Sequence, residues 1–221
     1  MKKLVIFGAS NFAQICEYYF TNDSDYSVAA FTIDGAYIRE PTFCDRPVVP
    51  FEEVEREFPP DEYDMFVAAG IRKVNRFRAQ KVDEAEAKGY RLASHLSPRA
   101  TAPRGFTLQP NTIVMELSHI MLGGQIGRNT IVWPWSQLPY LGRVGSHCWI
   151  VSMASGEQSS IGDFTFVGIR ATIAPGVQVG ASNIIGAGAL VMHDTADGAV
   201  IKGHEGTTAR VTSDRAARLI E

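Results

Sequence analysis

Between residues 108 and 191 an aliphatic side chain returns every six positions. Leu108, Val114, Ile120, Ile126, Val132, Leu138, Val144 and Ile150 keep strict register, and after a slip of one residue Ile161, Val167, Ile173, Val179, Ile185 and Val191 resume it. A helix repeats its apolar face every ~3.6 residues and a half-buried strand every two, so this period belongs to neither alone. The residue four places after each aliphatic is small nearly throughout, as at Thr130, Ser136, Gly142, Cys148, Thr165, Ala171 and Ala189. Three such hexads predict one triangular coil of about eighteen residues, with aliphatics on its axis and small residues at its corners. Gly127, Gly145, Gly162, Gly180 and Gly186 each follow their aliphatic directly. They are expected at tight bends, whose backbone angles glycine adopts at little cost. The stretch reads as about four to five rungs of a parallel β-helix.

Upstream the periodicity changes. Residues 3–7 are a continuous apolar run, followed by Gly8-Ala9-Ser10-Asn11-Phe12-Ala13 and a helical pattern through Phe20. A buried strand that turns through small residues into a helix is the first unit of a Rossmann-like domain. Ser10 and Ala13 stand where the second and third glycines of G-x-G-x-x-G belong, so a full dinucleotide is not expected here. The loop reads either as a phosphate site at a helix start or as a tight connection. A second strand, 27–33, ends at Asp34-Gly35, where a carboxylate bonds a ribose or base edge, or simply serves a turn. Residues 47–50 form a short strand and 51–58 a short acidic helix stopped by Pro59-Pro60. Residues 65–69 are a buried strand closed by Gly70. The charged helical pattern of 72–88 reads as a solvated outer face. A last strand at 92–95 ends this unit. The division is 1–96, a Rossmann-like domain; 97–105, a linker; 106–198, the β-helix; and 199–221, a tail in which 212–221 form a short helix capped by Ser213.

Composition narrows the function classes. A formal charge of -3 over 221 residues gives no basis for nucleic-acid or membrane-surface binding. No window approaches the roughly eighteen apolar residues of a membrane span, and the apolar run at the N-terminus is too short for a signal-peptide core. Cys16, Cys44 and Cys148 are scattered without metal-ligand spacing. A reducing cytoplasm is the natural compartment.

A Rossmann-like unit followed by a hexapeptide coil resembles the sialic-acid O-acetyltransferase family of hexapeptide-repeat sugar acyltransferases. The resemblance runs from Val5-Ile6-Phe7-Gly8 through Val67-Ala68-Ala69-Gly70 to Ile185-Gly186-Ala187-Gly188-Ala189-Leu190-Val191. It implies a left-handed coil, a homotrimer with parallel coils, a nucleotide-linked sugar on the N-terminal domain, and acetyl-CoA in the groove between neighbouring coils. Gly8, Ala9, Ser10, Asn11, Asp34 and Gly70 then fall at the nucleotide, and Gly168, Ala171, Gly186 and Ala187 along the pantetheine arm. Lys202, just past the last rung, is placed to meet a coenzyme phosphate.

One element of the family pattern is missing. Its Glu-His-Asp run, whose histidine deprotonates the acceptor, falls by counting on Pro139-Tyr140-Leu141, and a second histidine falls on Trp149. Tyr140 therefore occupies the position of the base, and a phenol accepts a proton poorly at neutral pH. A hydroxyl acceptor needs general-base help worth about 10²–10⁴-fold, whereas a neutral amine attacks a thioester unaided, so N-acylation is the easier chemistry. His147 is the nearest titratable alternative in sequence; His119 lies about one rung earlier. Glu157 and Gln158 fall in the irregular segment, which is expected to fold out over the groove. Trp133, Trp135, Tyr140 and Trp149 crowd the same neighbourhood, to stack on a sugar or to fill an intersubunit core. Two functions follow: an N-acyltransferase acting on a nucleotide-linked amino sugar for surface polysaccharide, or a catalytically impaired relative that binds nucleotide sugar as a scaffolding trimer.

Overall fold

The structure, a computed structural model, describes residues 2–206; the helix expected at 212–221 lies outside them. Its N-terminal part is an α/β layer made of β1 (Lys2–Phe7), α1 (Asn11–Asn22), β2 (Tyr26–Ile33), β3 (Thr42–Phe43), β4 (Arg46–Pro50), α2 (Val54–Glu57), β5 (Tyr63–Val67) and α3 (Arg76–Ala87). The sheet order is β3-β4-β2-β1-β5, parallel throughout except for β3 at the edge. The continuous apolar run of β1 is explained by burial on both faces. Leu4 and Ile6 pack towards α1 with Phe12, Cys16 and Phe20, while Val5 and Phe7 pack towards α3 with Val82 and Ala85.

The C-terminal part is a triangular coil with three flat faces of parallel two-residue strands. Face one carries seven strands, face two five and face three four. These parallel sheets are typical of the left-handed β-helix of hexapeptide-repeat acyltransferases. The hexad aliphatics form one buried column from Val114 to Val191. Register pairs Ile131 with Trp149 and Gln137 with Ala154, so the slip lies at the corner of residues 151–153, one residue shorter than 133–136 a coil earlier. The coil absorbs the slip there, and Glu157-Gln158 do not fold out: Gln158 N–H donates to Tyr140 O at 2.7 Å, and Gly176 N–H to Glu157 O at 2.9 Å.

The corners correct the role given to the glycines. Each corner has one residue at positive φ: Leu117, Trp135, Ser152, Arg170 and Gly188 on the first; Gly105, Gly123, Leu141, Gln158 and Gly176 on the second; Asn111, Asn129, His147, Phe164 and Ser182 on the third. Gly127, Gly145, Gly162, Gly180 and Gly186 are not among them. A Cβ on Gly127 or Gly162 would lie 2.5 Å from the backbone nitrogen of the next coil, so stacking, not bending, excludes a side chain there.

Two further expectations change. The strand expected at 92–95 is split: Leu92 bridges Met65 of β5 and so extends the first sheet, whereas His95–Leu96 pairs with Ile113–Val114 and begins face one. Residues 97–105 are no free linker, since Ser97 and Thr101 donate to Val114 O and Ser118 O, each at 2.9 Å. Backbone donors there are satisfied by joining the coil. At the other end Val200–Ile201 adds one more strand to face one.

The two parts share a core. The outer side of face one, through Ile113, Met115, Ile131 and Trp149, packs on the side of α1 turned away from the sheet. α3, expected to be a solvated face, lies against the third corner, with Arg78 fully enclosed and Lys81 6% exposed. No described helix is long and apolar enough to cross a membrane.

Candidate functional site

The connections from β1 leave towards β2, whereas the chain returns from β4 to the opposite side of β1, and a cleft opens beyond the carboxyl ends of β1, β2 and β5. Its volume is about 280 Å³, and Gly8, Ala9, Ser10, Asp34 and Gly70 all line it. Gly8 has φ +131, and a Cβ there would lie 2.8 Å from Ala68 O, so the first loop residue must be glycine. Ser10 caps α1, its Oγ accepting from Ala13 N–H at 3.4 Å. Asn11, the first helical residue, does not line the cleft.

Asp34 is held in place. Its Oδ1 accepts from Lys81 Nζ at 2.5 Å, and Lys81 also reaches Glu84 at 2.7 Å. The ammonium sits 5.4 Å from the Phe7 ring centroid, 5.0 Å from Phe51 and 5.8 Å from Phe77. Burial pulls its pKa down, but the bonds to Asp34 and Glu84 outweigh that and leave it raised. Glu52 fixes the following turn by accepting from Gly35 N–H at 2.9 Å. The cleft therefore presents a pre-oriented carboxylate at the end of β2.

The coil brings together Gly168, Gly186, Ala187 and Lys202 at the first corner. Gly168 N–H donates to Ile185 O at 2.8 Å and Gly186 N–H to Ile201 O at 2.7 Å, so these segments stack on successive coils. Ala187 and Lys202 are exposed beside them. Ala171 differs: it is fully buried in the coil axis and lines no groove.

Tyr140 lies at the second corner, immediately before Leu141 at φ 48. The counting that placed it there agrees with the register, which pairs Val144 with Ile161 and Ile161 with Val179. His147 lies at the third corner, so the structure does not bring it to Tyr140. Asn129 Oδ1 accepts from Arg78 Nε at 2.9 Å and from Asn111 Nδ2 at 2.8 Å. The Asn129 amide nitrogen is thus the donor to His147 Nδ1, at 2.8 Å, and the ring proton is assigned to Nε2. The ring stacks on Phe164 at 4.5 Å, and burial, then Arg78 and Arg128, hold its pKa below the usual value. His147 is a neutral seam residue whose basic nitrogen is already engaged.

The tryptophans are also reassigned. Phe12 of α1 packs 6.0 Å from Trp133 and 4.8 Å from Trp149, so both fill the core between the two parts of one chain. Trp135 is 70% exposed on the first corner. Sequence reading missed Arg78, Lys81, Asn111 and Asn129. The recurrence of Asn111, Asn129 and His147 one coil apart was the available signal for the third-corner ladder. Among the described residues no group of His, Cys, Asp and Glu is arranged to hold a metal ion.

Comparison with known proteins fits this geometry. Residues 158–193 match the family described as bacterial transferase hexapeptide (six repeats). A 2,3,4,5-tetrahydropyridine-2,6-dicarboxylate N-succinyltransferase of Xylella fastidiosa is 24% identical over 168 residues, 72% of this chain. The chain spans only 52% of that relative's length. A histidine-to-asparagine mutant of perosamine N-acetyltransferase from Caulobacter crescentus, solved in complex with CoA and GDP-perosamine, superposes with a TM-score of 0.81 at 26% identity, over 92% of this chain and 94% of that one. The acetyltransferase domain of PglB from Neisseria gonorrhoeae superposes with a TM-score of 0.79 at 21% identity, over 92% and 97% of the two chains. The chain thus carries the repeat of the hexapeptide transferases and is built, along nearly its whole length, like perosamine N-acetyltransferase and the PglB acetyltransferase domain.

Proposed function

We propose that this protein is an acetyl-CoA-dependent N-acyltransferase that acts on a nucleotide-linked amino sugar, as a cytoplasmic homotrimer serving surface-polysaccharide synthesis. Within the hexapeptide transferases it is assigned to the sialic-acid O-acetyltransferase group. The observation that carries the reading is the pairing, in one chain, of a strand-end cleft with a coil, in an arrangement shared with an enzyme solved with CoA and GDP-perosamine. Residues 1–96 are assigned as a Rossmann-like nucleotide unit. Gly8, Ala9 and Ser10 hold the phosphates, Asp34 a ribose or base edge, and Gly70 the opposite wall. Gly168, Gly186, Ala187 and Lys202 receive the coenzyme.

The neutral amine attacks the thioester carbonyl, a tetrahedral intermediate forms, and the C–S bond breaks. The departing thiolate takes the proton lost by the nitrogen, giving an amide and free thiol. This route needs no histidine, which suits a chain with Tyr140 at the family position. Tyr140 and the coenzyme residues lie at different corners of one coil, which favours a groove shared between two copies.

The second reading, a scaffolding trimer that binds nucleotide sugar without turnover, is favoured by one observation: His147, the histidine nearest Tyr140 in sequence, has Nδ1 engaged by Asn129 and lies at another corner. Calorimetry with acetyl-CoA, followed by thiol release with amino-sugar nucleotides, separates the two. Saturable acetyl-CoA binding and thiol release support the transferase. Nucleotide-sugar binding with no coenzyme binding leaves the scaffold.

A further inference from the structure

Arg78 is the largest fully enclosed side chain among the described residues. Its guanidinium donates to Asn129 Oδ1 (2.9 Å), Asn75 Oδ1 (3.2 Å) and the carbonyls of Ala69 (3.4 Å), Asn129 (3.2 Å), His147 (3.4 Å) and Cys148 (3.1 Å). All of these acceptors are neutral. Among the described residues no carboxylate pairs with it. The other titratable groups beside it carry no compensating charge: burial raises the Cys16 and Cys148 thiols, the latter to about 12, and His147 is neutral. A buried cation without a counter-ion is costly to keep unless something offsets it.

The cleft lies directly above. Ala69, which accepts from Arg78, lines it together with the Gly8-Ala9-Ser10 loop, and Gly8 is packed on Ala68. The charges that line the cleft nearly cancel. Asp34 and Arg72 are the charged residues of its lining; Asp34 is paired with Lys81, which also meets Glu84, and Arg72 lies over the Phe77 ring. Beneath its floor lies the fully buried Arg78 guanidinium, without a carboxylate partner among the described residues.

We propose that Arg78 is the buried counter-charge of this cleft, a positioning residue that makes it select nucleoside diphosphates over uncharged nucleosides without touching the ligand. The proposal rests on the nucleotide reading of the cleft. The anion completes the neutralisation that no side chain supplies, and the bond to Ala69 holds the cleft floor in the position that lets the two charges face each other. At an effective dielectric constant near 20, unit charges about 9 Å apart attract enough to change affinity on the order of tenfold to a hundredfold. Salt screens exposed charge pairs strongly and buried ones weakly.

The test is calorimetric binding of UDP, GDP and their parent nucleosides to the full chain at ~0.05 M and ~0.5 M NaCl. The preferred diphosphate should bind at least about tenfold more tightly than its nucleoside, and this ratio should change by less than about threefold between the two salts. Arg78→Gln should lower the ratio about tenfold or more with nucleoside affinity within about threefold. A ratio that collapses with salt, or one unchanged in a folded Arg78→Gln protein, overturns the proposal and assigns the phosphates to exposed groups such as Arg72. If Arg78→Gln does not fold, the salt series on the native chain decides alone. No binding of either ligand class overturns the nucleotide reading itself, and with it this proposal.

Discussion

His95 shows how one buried group sets an acid limit. It is 3% exposed, lies between the rings of Tyr19 at 5.6 Å and Phe20 at 5.7 Å, and leaves Nε2 without a partner. Burial pushes its pKa down to about 4 from an ordinary 6.5, with Asp23 opposing weakly. A depressed folded-state value means the unfolded chain binds the proton first as pH falls. The stability is therefore complete above pH 6.5 and is lost progressively towards pH 4. Between pH 7 and 5 the loss attributable to His95 should be about 2 kcal/mol. Urea unfolding of the native chain and of His95→Gln at both pH values checks this, since the variant should show a smaller difference. A second pair of residues tests why glycine is used in the coil. Gly162→Ala places a methyl 2.5 Å from the next coil's backbone and should destabilise by about 3 kcal/mol, whereas Gly176→Ala, at φ +73 with open space, should cost about 1 kcal/mol from strain alone. Equal losses at the two sites would return the glycines to the bending role that their position in the hexad suggests.

Each coil segment is too short to be stable alone, and the elements that matter are those that join coil to sheet. α1 is apolar on two sides, one towards Leu4, Ile6 and Phe66, the other towards Trp133 and Trp149. α3 closes the third corner through Arg78, through Glu86, which pairs with Arg128 at 2.6 Å, and through Arg76, which donates to Ser182 at 3.0 Å. Trp149→Ala should therefore destabilise by about 3–5 kcal/mol, and it should split one unfolding transition into two as the parts lose their common core. Calorimetry that still shows a single transition would mean the α3 contacts suffice to couple them. The hexad, the strand runs and the loop after β1 were all legible, because axis-facing aliphatics and doubly buried strands impose strict periods. The seam was not. The third-corner contacts depend on Asn and Arg side chains finding carbonyls far along the chain, and a charged helix reads as solvated whether or not one of its arginines turns inward.

The whole molecule distributes its candidate site in a way no local pattern reveals. The cleft residues Gly8, Ala9, Ser10, Asp34 and Gly70 converge, as do Gly168, Gly186 and Ala187, but Tyr140 and His147 fall on two other corners of the coil. Counting along the sequence located Tyr140 on its coil, because the one-residue slip occurs after it and leaves the pairing of Val144 with Ile161 intact. What counting does not contain is the angular position of each corner relative to a second chain. If acyl transfer takes place between the first corner of one copy and the second corner of its neighbour, two chains inactivated at different corners should complement each other. Ala187→Trp blocks the first corner and Tyr140→Arg the second, and each homogeneous protein should lose transfer while keeping its nucleotide affinity. After co-refolding at equal amounts, random assembly gives an intact pairing at about one interface in four, so thiol release should recover to roughly a quarter of the native rate. A site contained within a single chain gives no recovery at any mixing ratio, because every chain then carries one of the two blocks.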